Sequence, residues 1–414
     1  MKKRVVITGI GVVSPIGTGV EAYFDALKNG KNGVELITNF DTTDFGVKFA
    51  AEVRDFDAEK YMERKEARRA DRVIQFACAA SDMALADSGL DLEKVDRDRF
   101  AVYLASGIGG INTCEEGIKT LAMKSPSRVS PFTVPMMIAS MPSAYVAIRH
   151  GAKGANMGIV TACASSLHAC AECFYAIERG DCDMAFVGGC ESTISDFGLS
   201  AFGNMKALST RNDDCHTASR PFDKDRDGFV LGEGACIFIF EELEHALARG
   251  AKIYAEVKGF GLTCDAYHIT APALDGEGAF RAMNLACKKA GWDTGTIDLV
   301  NAHGTSTPFN DRIETQAIHK LMGDEAKNVL VQATKSMIGH SLGAAGALGA
   351  AAAIMAIRDG VVHPTINYTT QDPECDLNYV PNKFVTADVK RVLVNAFGFG
   401  GQNAVMALEK FGEN

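Results

Sequence analysis

The sequence lacks an apolar run long enough to span a membrane. The longest run, Ala344 to Ile357, has 14 residues and is rich in alanine and glycine, whereas a spanning helix needs roughly 20. We therefore predict a buried helix there and no membrane as a partner. The chain opens with basic and then apolar residues, but Gly9 and Gly11 interrupt the apolar stretch and no small-residue cleavage site follows. This opening is better interpreted as a buried first strand than as a signal peptide.

An excess of positive charge is also missing. The chain has 42 Lys and Arg against 52 Asp and Glu, a net charge of -10, and this argues against nucleic acid as the main partner. Its hydrophobic content of 47% and charged content of 23% are ordinary for a soluble globular protein.

Metal and cofactor motifs are present only as fragments. The acidic spacing between Asp223 and Gly234 resembles a calcium loop, but glycine occupies the position that needs glutamate. Cys170 and Cys173 form a C-x-x-C without a second pair, which makes a zinc site improbable. The Gly9-Ile-Gly11 turn lacks the third glycine of a dinucleotide fingerprint. We therefore predict no metal and no resident cofactor.

The twelve cysteines do not form a disulfide framework. They are scattered through a long chain without a secretory signal, which favours reduced thiols and a cytoplasmic location. Most lie in apolar surroundings and are predicted to be small core residues: Cys78, Cys170, Cys173, Cys190, Cys236 and Cys287. Cys163 is the exception.

Short β-branched runs alternate with helical stretches, which is typical of an α/β layered fold. The first five predicted strands are Arg4–Ile10, Phe100–Ala105, Met157–Thr161, Met184–Gly188 and Cys236–Phe240. The second five are Ile253–Gly259, Leu299–Ala302, Val329–Ala333, Arg391–Asn395 and Ala404–Leu408. Five predicted strands in each half of the chain indicate that one half duplicates the other.

One unit occurs in both halves of the chain. A strand leads to a reactive residue, a small-residue helix follows, and the helix ends at Gly180 in one half and Gly360 in the other. We predict an N-terminal half over residues 1–250 and a C-terminal half over residues 251–414. No low-complexity linker separates them, so they are expected to form one compact body.

Cys163 lies in Thr-Ala-Cys-Ala-Ser-Ser, where a predicted strand gives way to a helix. Unpaired N–H groups at a helix N-terminus favour a thiolate and lower a thiol's pKa. The small residues around Cys163 keep the turn uncrowded. We therefore predict a nucleophile rather than an inert core cysteine.

Two histidines are set in similar surroundings. His303 ends a predicted strand and precedes the hydroxyl-rich turn Gly-Thr-Ser-Thr-Pro, while His340 follows Gly339 and opens the alanine-rich helix. A neutral imidazole can present an N–H to a developing oxyanion. Each histidine alone is a weak signal, but a thiol with two imidazoles is a set of groups suited to covalent acyl chemistry.

Three further residues are predicted to support this set. Lys335, if near the imidazoles, would disfavour their charged forms, and Glu314 would keep that lysine oriented. Phe399 lies in Phe-Gly-Phe-Gly-Gly, where glycines permit a mobile flap and a backbone N–H to complete an oxyanion hole with that of Cys163. A tight turn between two core strands explains the same glycines, and the two interpretations are compatible.

These segments together resemble the elongating β-ketoacyl-acyl carrier protein synthases of the thiolase superfamily, type II most closely. The resemblance runs nearly end to end and rests on long motifs, among them Arg-Pro-Phe-Asp-x-Asp-Arg-Asp-Gly-Phe-Val-Leu-Gly-Glu-Gly-Ala, His-Gly-Thr-Ser-Thr-Pro and Gly-His-x-Leu-Gly-Ala-Ala-Gly-Ala. It implies a layered α-β-α-β-α sandwich and a homodimer. It also implies that Cys163 takes an acyl chain from its carrier, after which His303 and His340 assist decarboxylation of a malonyl thioester.

The resemblance assigns roles to further residues. It implies that Thr305 and Thr307 touch the pantetheine arm and that Phe399 acts as a gate. Ile108 and Phe202 are expected near the acyl tunnel. The carrier-docking positions are Lys65, Arg68, Arg69 and Lys206; the first three lie in a basic run that is otherwise interpreted as a solvated helix face. Ile338 and Gln402 stand where threonine is common in the family.

Related activities differ at single residues. A degradative thiolase would need a second cysteine in the Gly-Phe-Gly-Gly loop, and a starter-unit synthase would have asparagine in place of His340. A non-catalytic chain-length partner of a polyketide system would lack the nucleophile, whereas Cys163 is present. A catalytic polyketide ketosynthase shares all three groups and stays open as an alternative.

Overall fold

The computed structural model describes residues 2–412. Within that range the strands are β1 (Val5–Ser14), β2 (Gly17–Thr18), β3 (Glu35–Leu36), β4 (Phe49–Ala50), β5 (Phe100–Ala105), β6 (Asn156–Ile159), β7 (Met184–Glu191), β8 (Gly234–Glu242), β9 (Ala255–Cys264), β10 (Leu299–Asn301), β11 (Leu330–Gln332), β12 (Val361–Val362), β13 (Val385–Thr386), β14 (Arg391–Gly398) and β15 (Gln402–Glu409).

The α-helices of the same range are α1 (Val20–Lys28), α2 (Arg64–Ala67), α3 (Arg72–Ser88), α4 (Ile111–Met123), α5 (Thr133–Met137), α6 (Met141–His150), α7 (Ser165–Arg179), α8 (Asp196–Asn204), α9 (Leu243–Ala248), α10 (Glu277–Ala290), α11 (Pro308–Met322), α12 (Lys335–Ile338) and α13 (Ala345–Asp359).

The two halves of the chain have the same strand order and pairing. The N-terminal half runs β6-β5-β7-β8-β1 and the C-terminal half runs β11-β10-β14-β15-β9. In each half the first two pairs along this order are parallel and the next two are antiparallel. All ten predicted strands are present and the duplication is confirmed.

The halves are joined edge to edge. β1 pairs with β9 in an antiparallel ladder of three residue pairs, Val5 to Ile7 with Ala255 to Val257. The hydrogen-bonded path is therefore continuous across the molecule, although it is built from two five-stranded sheets. The predicted boundary at residue 250 falls in the loop between α9 and β9.

Helices cover both faces of each sheet. α7 and α13 pack on each other and on strands of both halves, so they form the central layer. α3 and α6 cover the outer face of the N-terminal sheet, and α10 and α11 cover that of the C-terminal sheet. The predicted α-β-α-β-α sandwich of the thiolase fold is confirmed.

The small residues of α13 are explained by its position in the central layer, where it packs against α7. Ser166 Oγ of α7 accepts a hydrogen bond from the Ala347 backbone N–H at 3.0 Å. A Cβ on Gly346 would lie 2.7 Å from the Leu167 Cγ, so only glycine permits this approach of the two helices. Leu342–Asp359 is the one described helical segment apolar and long enough to cross a membrane, and 89% of it is buried inside the protein. The prediction of a buried helix is confirmed.

The six cysteines predicted to be core residues are all buried, which confirms that prediction. All twelve cysteines lie in the described part of the chain, and each is a free thiol. Cys264 is the exposed one, at the end of β9.

Candidate active site

Cys163 lies in a strained turn between β6 and α7. Ala162 has a φ of 50°, in the left-handed region that non-glycine residues seldom adopt. Ser165 closes the turn, because its Oγ accepts from the Thr161 N–H at 2.8 Å and donates to the Ala162 carbonyl at 2.6 Å. The thiol is therefore held at the N-terminal end of α7, and Cys163 is only 5% exposed.

His340 lies in the corresponding turn of the C-terminal half, before α13. Its backbone N–H donates to the Val230 carbonyl at 2.7 Å, and its carbonyl accepts from the Gly232 N–H at 3.0 Å. Leu342 has a φ of 40°, so this turn is strained in the same way as the turn at Cys163. The duplicated fold thus brings a thiol and an imidazole to the starts of two adjacent central helices.

His303 follows β10 and is fixed by a buried carboxylate on α11. Glu314 accepts from the His303 N–H at 2.8 Å and from the Gly304 N–H at 2.9 Å. The Asn395 side-chain amide donates to the same carboxylate at 2.9 Å. Glu314 therefore fixes the backbone that carries the imidazole.

Lys335 is buried beside His303. Its Nζ donates to the His303 carbonyl at 2.5 Å and lies 3.4 Å from the Nδ1 of the imidazole. The sequence predicts that Glu314 orients this lysine, but no hydrogen bond joins the two groups within residues 2–412. The His303 carbonyl holds the ammonium, and Glu314 acts on it through charge alone.

One cavity of about 420 Å³ brings seven of the predicted residues together. They are Cys163, His303, His340, Phe399, Thr305, Thr307 and Lys206. The two imidazole rings are 5.4 Å apart between centroids and nearly perpendicular, at 85°. A thiol and two imidazoles separated by long stretches of sequence therefore line the same small space.

The Cys163 thiol is protonated at neutral pH. Burial raises its pKa to about 11, and the opposing effects of the Lys335 ammonium and of the Phe399 and Cys163 N–H groups are smaller. The sequence predicts the reverse direction, because the helix N-terminus favours a thiolate. Here the free-energy cost of burying the charged Cys163 thiolate is larger than its stabilisation by the helix N-terminus.

Both imidazoles are neutral. Burial lowers the pKa of His303 and of His340 well below the usual range, and the Lys335 ammonium lowers both further. Burial also lowers the Lys335 pKa, to about 8, although the negative charge of Glu314 opposes that shift. A neutral imidazole has one N–H to donate, so the cavity offers two uncharged donors.

The segment around Phe399 is a tight turn between the core strands β14 and β15. The Phe399 N–H and the Cys163 N–H both point at the thiol sulfur, where they favour negative charge. A Cβ on Gly398 would lie 2.8 Å from the Thr161 carbonyl oxygen, so glycine is needed for the turn to approach Cys163. Two backbone N–H groups therefore meet beside the Cys163 thiol, and an oxyanion hole at this thiol would need such a pair of donors.

Phe202 and Ile108 do not line this cavity. The Phe202 ring lies 5.8 Å from that of Phe229, which in turn lies 5.3 Å from the His340 ring. Ile108 is 39% exposed.

A buried carboxylate, Glu191, lies under the loop of Ile108. The Gly107 N–H donates to the Glu191 carboxylate at 2.6 Å, and the Gly343 N–H donates to it at 2.9 Å. Glu191 thus connects the Ile108 loop with the turn after His340.

The predicted docking residues form an exposed basic patch, the α2 patch, made of Lys65, Arg68 and Arg69. None of the three has a salt-bridge partner among residues 2–412, in a chain of net charge -10. The Arg69 guanidinium lies over the Phe132 ring, 4.4 Å from its centre. Lys206 is exposed too, but lies apart from the α2 patch at the mouth of the catalytic cavity.

Sequence reasoning missed several residues of the site. Asn395, Phe229 and Glu191 make the contacts described above, and the Phe397 ring lies 5.6 Å from that of His303. The one available signal was a polar residue within an apolar strand, as at Asn395 in Val-Leu-Val-Asn-Ala-Phe. In the described part of the chain, no group of three or more His, Cys, Asp or Glu side chains has the arrangement of a metal site.

Known proteins match this sequence over nearly its whole length. Family models described as "Beta-ketoacyl synthase, N-terminal domain" and "Beta-ketoacyl synthase, C-terminal domain" match residues 2–246 and 254–369. A protein of Synechocystis sp. (strain ATCC 27184 / PCC 6803 / Kazusa) named 3-oxoacyl-[acyl-carrier-protein] synthase 2 is 49% identical over 410 residues, 99% of each chain.

Solved structures are similar over the same extent. The ishigamide ketosynthase/chain length factor superposes with a TM-score of 0.94 at 38% identity and covers 100% of both chains. A type II polyketide ketosynthase, solved in complex with its acyl-carrier protein, superposes with a TM-score of 0.92 at 34% identity over 99% of both chains.

Proposed function

This chain belongs to the β-ketoacyl synthase family, and we propose that Cys163, His303 and His340 carry out its reaction. The protein is an acyltransferase of fatty acid synthesis: it condenses an acyl-enzyme thioester with malonyl-acyl carrier protein, releases carbon dioxide and lengthens the acyl chain by two carbons. The observation that carries the residue assignment is the single cavity that holds a thiol, two neutral imidazoles and two backbone donors aimed at the sulfur.

The first half-reaction forms the acyl-enzyme. The Cys163 sulfur attacks the carbonyl of the carrier-bound thioester, and the oxyanion that develops is stabilised by the Cys163 and Phe399 N–H groups. The carbon–sulfur bond to the carrier then breaks, and the carrier leaves as a thiol with the proton that Cys163 gives up. Dividing the reaction in this way avoids bringing two carriers to the cavity at once.

The second half-reaction forms the new carbon–carbon bond. The bond to the malonyl carboxylate breaks, carbon dioxide leaves, and the electron pair turns the thioester into an enolate whose oxygen accepts from the His303 and His340 N–H groups. The enolate carbon attacks the acyl-Cys163 carbonyl. The carbon–sulfur bond then breaks, and the departing thiolate takes up one proton from solvent.

We expect incubation with acyl carrier protein loaded with fatty acids of graded length to add one acyl group to the protein. The adduct should map to Cys163, because among the described cysteines only this thiol lines the cavity that holds the two imidazoles and the backbone donors. Intact-mass spectrometry followed by peptide mapping measures it, and later addition of malonyl carrier should remove the adduct as a 3-oxoacyl product. An adduct on another cysteine would contradict the assignment.

Acyl carrier protein is the partner whose chemistry fits the α2 patch, since an acidic carrier would neutralise cations that have no salt-bridge partner within the described chain. The polyketide relative was solved with its carrier bound. We propose that Lys65, Arg68 and Arg69 receive the carrier in both its acyl and malonyl forms, and that Lys206 meets it at the cavity mouth.

Charge reversal of Lys65, Arg68 and Arg69 to glutamate should raise the KM for carrier-linked substrates at least about tenfold while kcat is largely kept, because rim charges act mainly on encounter. Steady-state kinetics at low and high salt measure the effect, which salt should diminish. Lys288→Glu, on the outer helix α10, is the matched control. An unchanged KM at low salt would remove the docking assignment.

We propose a homodimer built across the edge strand β6. Within residues 2–412 one side of β6 has no partner strand, and the first two of its four residues are exposed. Large apolar side chains are exposed on the preceding helices α4 and α5, on β6 and directly after it: Ile118, Leu121, Met123, Val134, Met157 and Val160. Pairing β6 with its copy would satisfy this edge and cover the apolar surface. Sedimentation should give twice the mass of one chain, and a monomer at micromolar concentration would refute the proposal.

The remaining assignments follow the same chemistry. We propose a cytoplasmic enzyme without a resident metal or organic cofactor, because the carrier supplies the phosphopantetheine arm. A catalytic polyketide ketosynthase is the second candidate, supported by the type II polyketide ketosynthase at 34% identity. The fatty acid relative is closer, at 49%. The presence of Cys163 disfavours a non-catalytic chain-length partner.

A further inference from the structure

The segment that resembles a calcium loop is occupied by contacts within the protein. Asp223 Oδ2 accepts from the Thr369 N–H at 2.6 Å and from the Thr370 N–H at 2.7 Å, while its Oδ1 accepts from the Asp225 N–H at 2.9 Å. Asp223 is fully buried. The acidic spacing therefore fixes a loop whose next residue, Arg226, points into the protein.

Arg226 is 7% exposed and donates most of its hydrogen bonds to backbone carbonyls. Nη1 donates to the Asp223 carbonyl at 2.8 Å and to the Asp372 carboxylate at 2.6 Å. Nε donates to the Thr307 carbonyl at 3.1 Å, and Nη2 donates to the Pro308 carbonyl at 3.1 Å. Four of the five N–H groups of the guanidinium are thus used by the protein.

Two further bonds hold the same loop from the same segment. The Gly228 N–H donates to the Ser306 carbonyl at 3.1 Å, and the Arg220 backbone N–H donates to the Ser306 Oγ at 2.9 Å. Ser306 has a φ of 66°, a left-handed conformation that must be held by its surroundings. Segment 220–228 therefore fixes the backbone of loop 305–308 by hydrogen bonds.

The other side of the loop faces the catalytic cavity. Thr305 and Thr307 both line it, and their hydroxyls are hydrogen-bonded to each other at 2.9 Å. Thr307 also caps α11, since its Oγ1 accepts from the Asn310 N–H at 3.4 Å. The placement of the two hydroxyls thus depends on a backbone whose carbonyls are held by Arg226.

We propose that Arg226 is a positioning residue for the pantetheine arm of the substrate: it fixes the Thr307 and Pro308 carbonyls so that the Thr305 and Thr307 hydroxyls meet the arm. This inference rests on the proposed function, in which those hydroxyls contact pantetheine. Arg226 itself does not line the cavity. Lysine cannot replace it fully, because one ammonium cannot span carbonyls that a planar guanidinium reaches from three nitrogens.

The charge of Arg226 is balanced inside the protein. The buried Asp311 carboxylate lies 3.7 Å from Nε, in addition to Asp372 at Nη1. A neutral substitution would leave two carboxylates uncompensated, so Arg226→Lys is the first variant to test. Asp372→Asn is the second, because it keeps the arginine but removes the carboxylate that anchors Nη1.

The test compares two acyl donors, acyl-pantetheine and acyl-N-acetylcysteamine, the second of which lacks the pantoyl part of the arm. Arg226→Lys should lower kcat/KM for acyl-pantetheine by roughly tenfold or more, the worth of a charge-assisted hydrogen bond, mainly through KM. The truncated donor should change less than about twofold, since it lacks most of the arm. Arg312→Lys, at a partly buried arginine 3.6 Å from Glu374, is the matched control and should leave both donors unaffected.

The variants separate this inference from the proposed function. Thr307→Ala should show the same selectivity, and Arg226→Lys combined with Thr307→Ala should be no worse than either alone. If Thr307→Ala discriminates between the donors and Arg226→Lys affects both equally, the inference about Arg226 is overturned alone. If Thr307→Ala does not discriminate, the pantetheine role of the loop fails and the inference fails with it. If Arg226→Lys does not fold, Asp372→Asn replaces it. A loss of kcat/KM for acyl-pantetheine but not for the truncated donor then supports the inference, and an equal loss for both overturns it.

Discussion

Replacing Cys163 by alanine should abolish condensation while malonyl decarboxylation continues or rises. The substitution removes the sulfur that holds the acyl chain, so elongation should fall below about one thousandth of the wild-type rate, as for other covalent nucleophiles. The groups assigned to decarboxylation, His303 and His340, keep their own backbone supports at Glu314, Val230 and Gly232. They do not depend on the thiol.

Two products must be measured separately to check this expectation. Carbon dioxide release from malonyl carrier reports decarboxylation, and mass spectrometry of the carrier reports the 3-oxoacyl product. Cys114→Ala, at a half-buried cysteine on α4 away from the cavity, is the control and should retain both. Retained elongation in Cys163→Ala would refute the nucleophile, and loss of both activities would show that the thiol also supports the imidazoles.

The layered fold was predictable because its signals are local. Most of the ten strands are short β-branched or apolar runs, and Phe100–Ala105 has the predicted bounds. Other strands run further than the sequence indicates, as β1 does to Ser14, because its pairing with β8 continues to Val13 and its pairing with β2 to Ser14. The edge-to-edge joining of the two halves has no local signal.

The reactive residues could be predicted from the sequence because their signals are local too. Glycine and small side chains mark the places where backbone must approach a substrate or another turn, as at Gly398 beside Cys163. The partners of Glu314 were not readable, because a carboxylate on α11 gives no sign that it will meet the His303 N–H and the amide of Asn395. Those contacts exist only after α11 packs against β10 and β14.

The direction in which the Cys163 pKa is shifted could not be predicted from the sequence. A helix N-terminus can be inferred from sequence, but the depth of burial cannot. The effect of burial decides the sign here, since it raises the pKa to about 11 against the helix and the Lys335 ammonium. The same burial makes both imidazoles neutral. The environment of the cavity, more than the identity of its groups, sets the resting protonation states.

His340→Ala and His303→Ala should each lower malonyl decarboxylation by on the order of a hundred- to a thousandfold, the measured worth of one oxyanion donor in a buried site. The enolate oxygen needs a donor that is present without a change of protonation, and burial with Lys335 keeps both imidazoles in that neutral form. Acylation should suffer less, because its oxyanion is held by backbone N–H groups.

Intact-mass measurement of acyl-Cys163 beside carbon dioxide release separates these two steps in each variant. His319→Ala, at a surface histidine paired with Asp376, is the matched control and should retain both. Introducing His340→Ala into Cys163→Ala should lower the decarboxylation that persists without the thiol by the same order of a hundred- to a thousandfold, because the enolate then loses one of its two donors. Decarboxylation at the full rate in either histidine variant would show that the enolate oxygen is stabilised elsewhere, and the backbone donors near Cys163 would then have to serve both half-reactions.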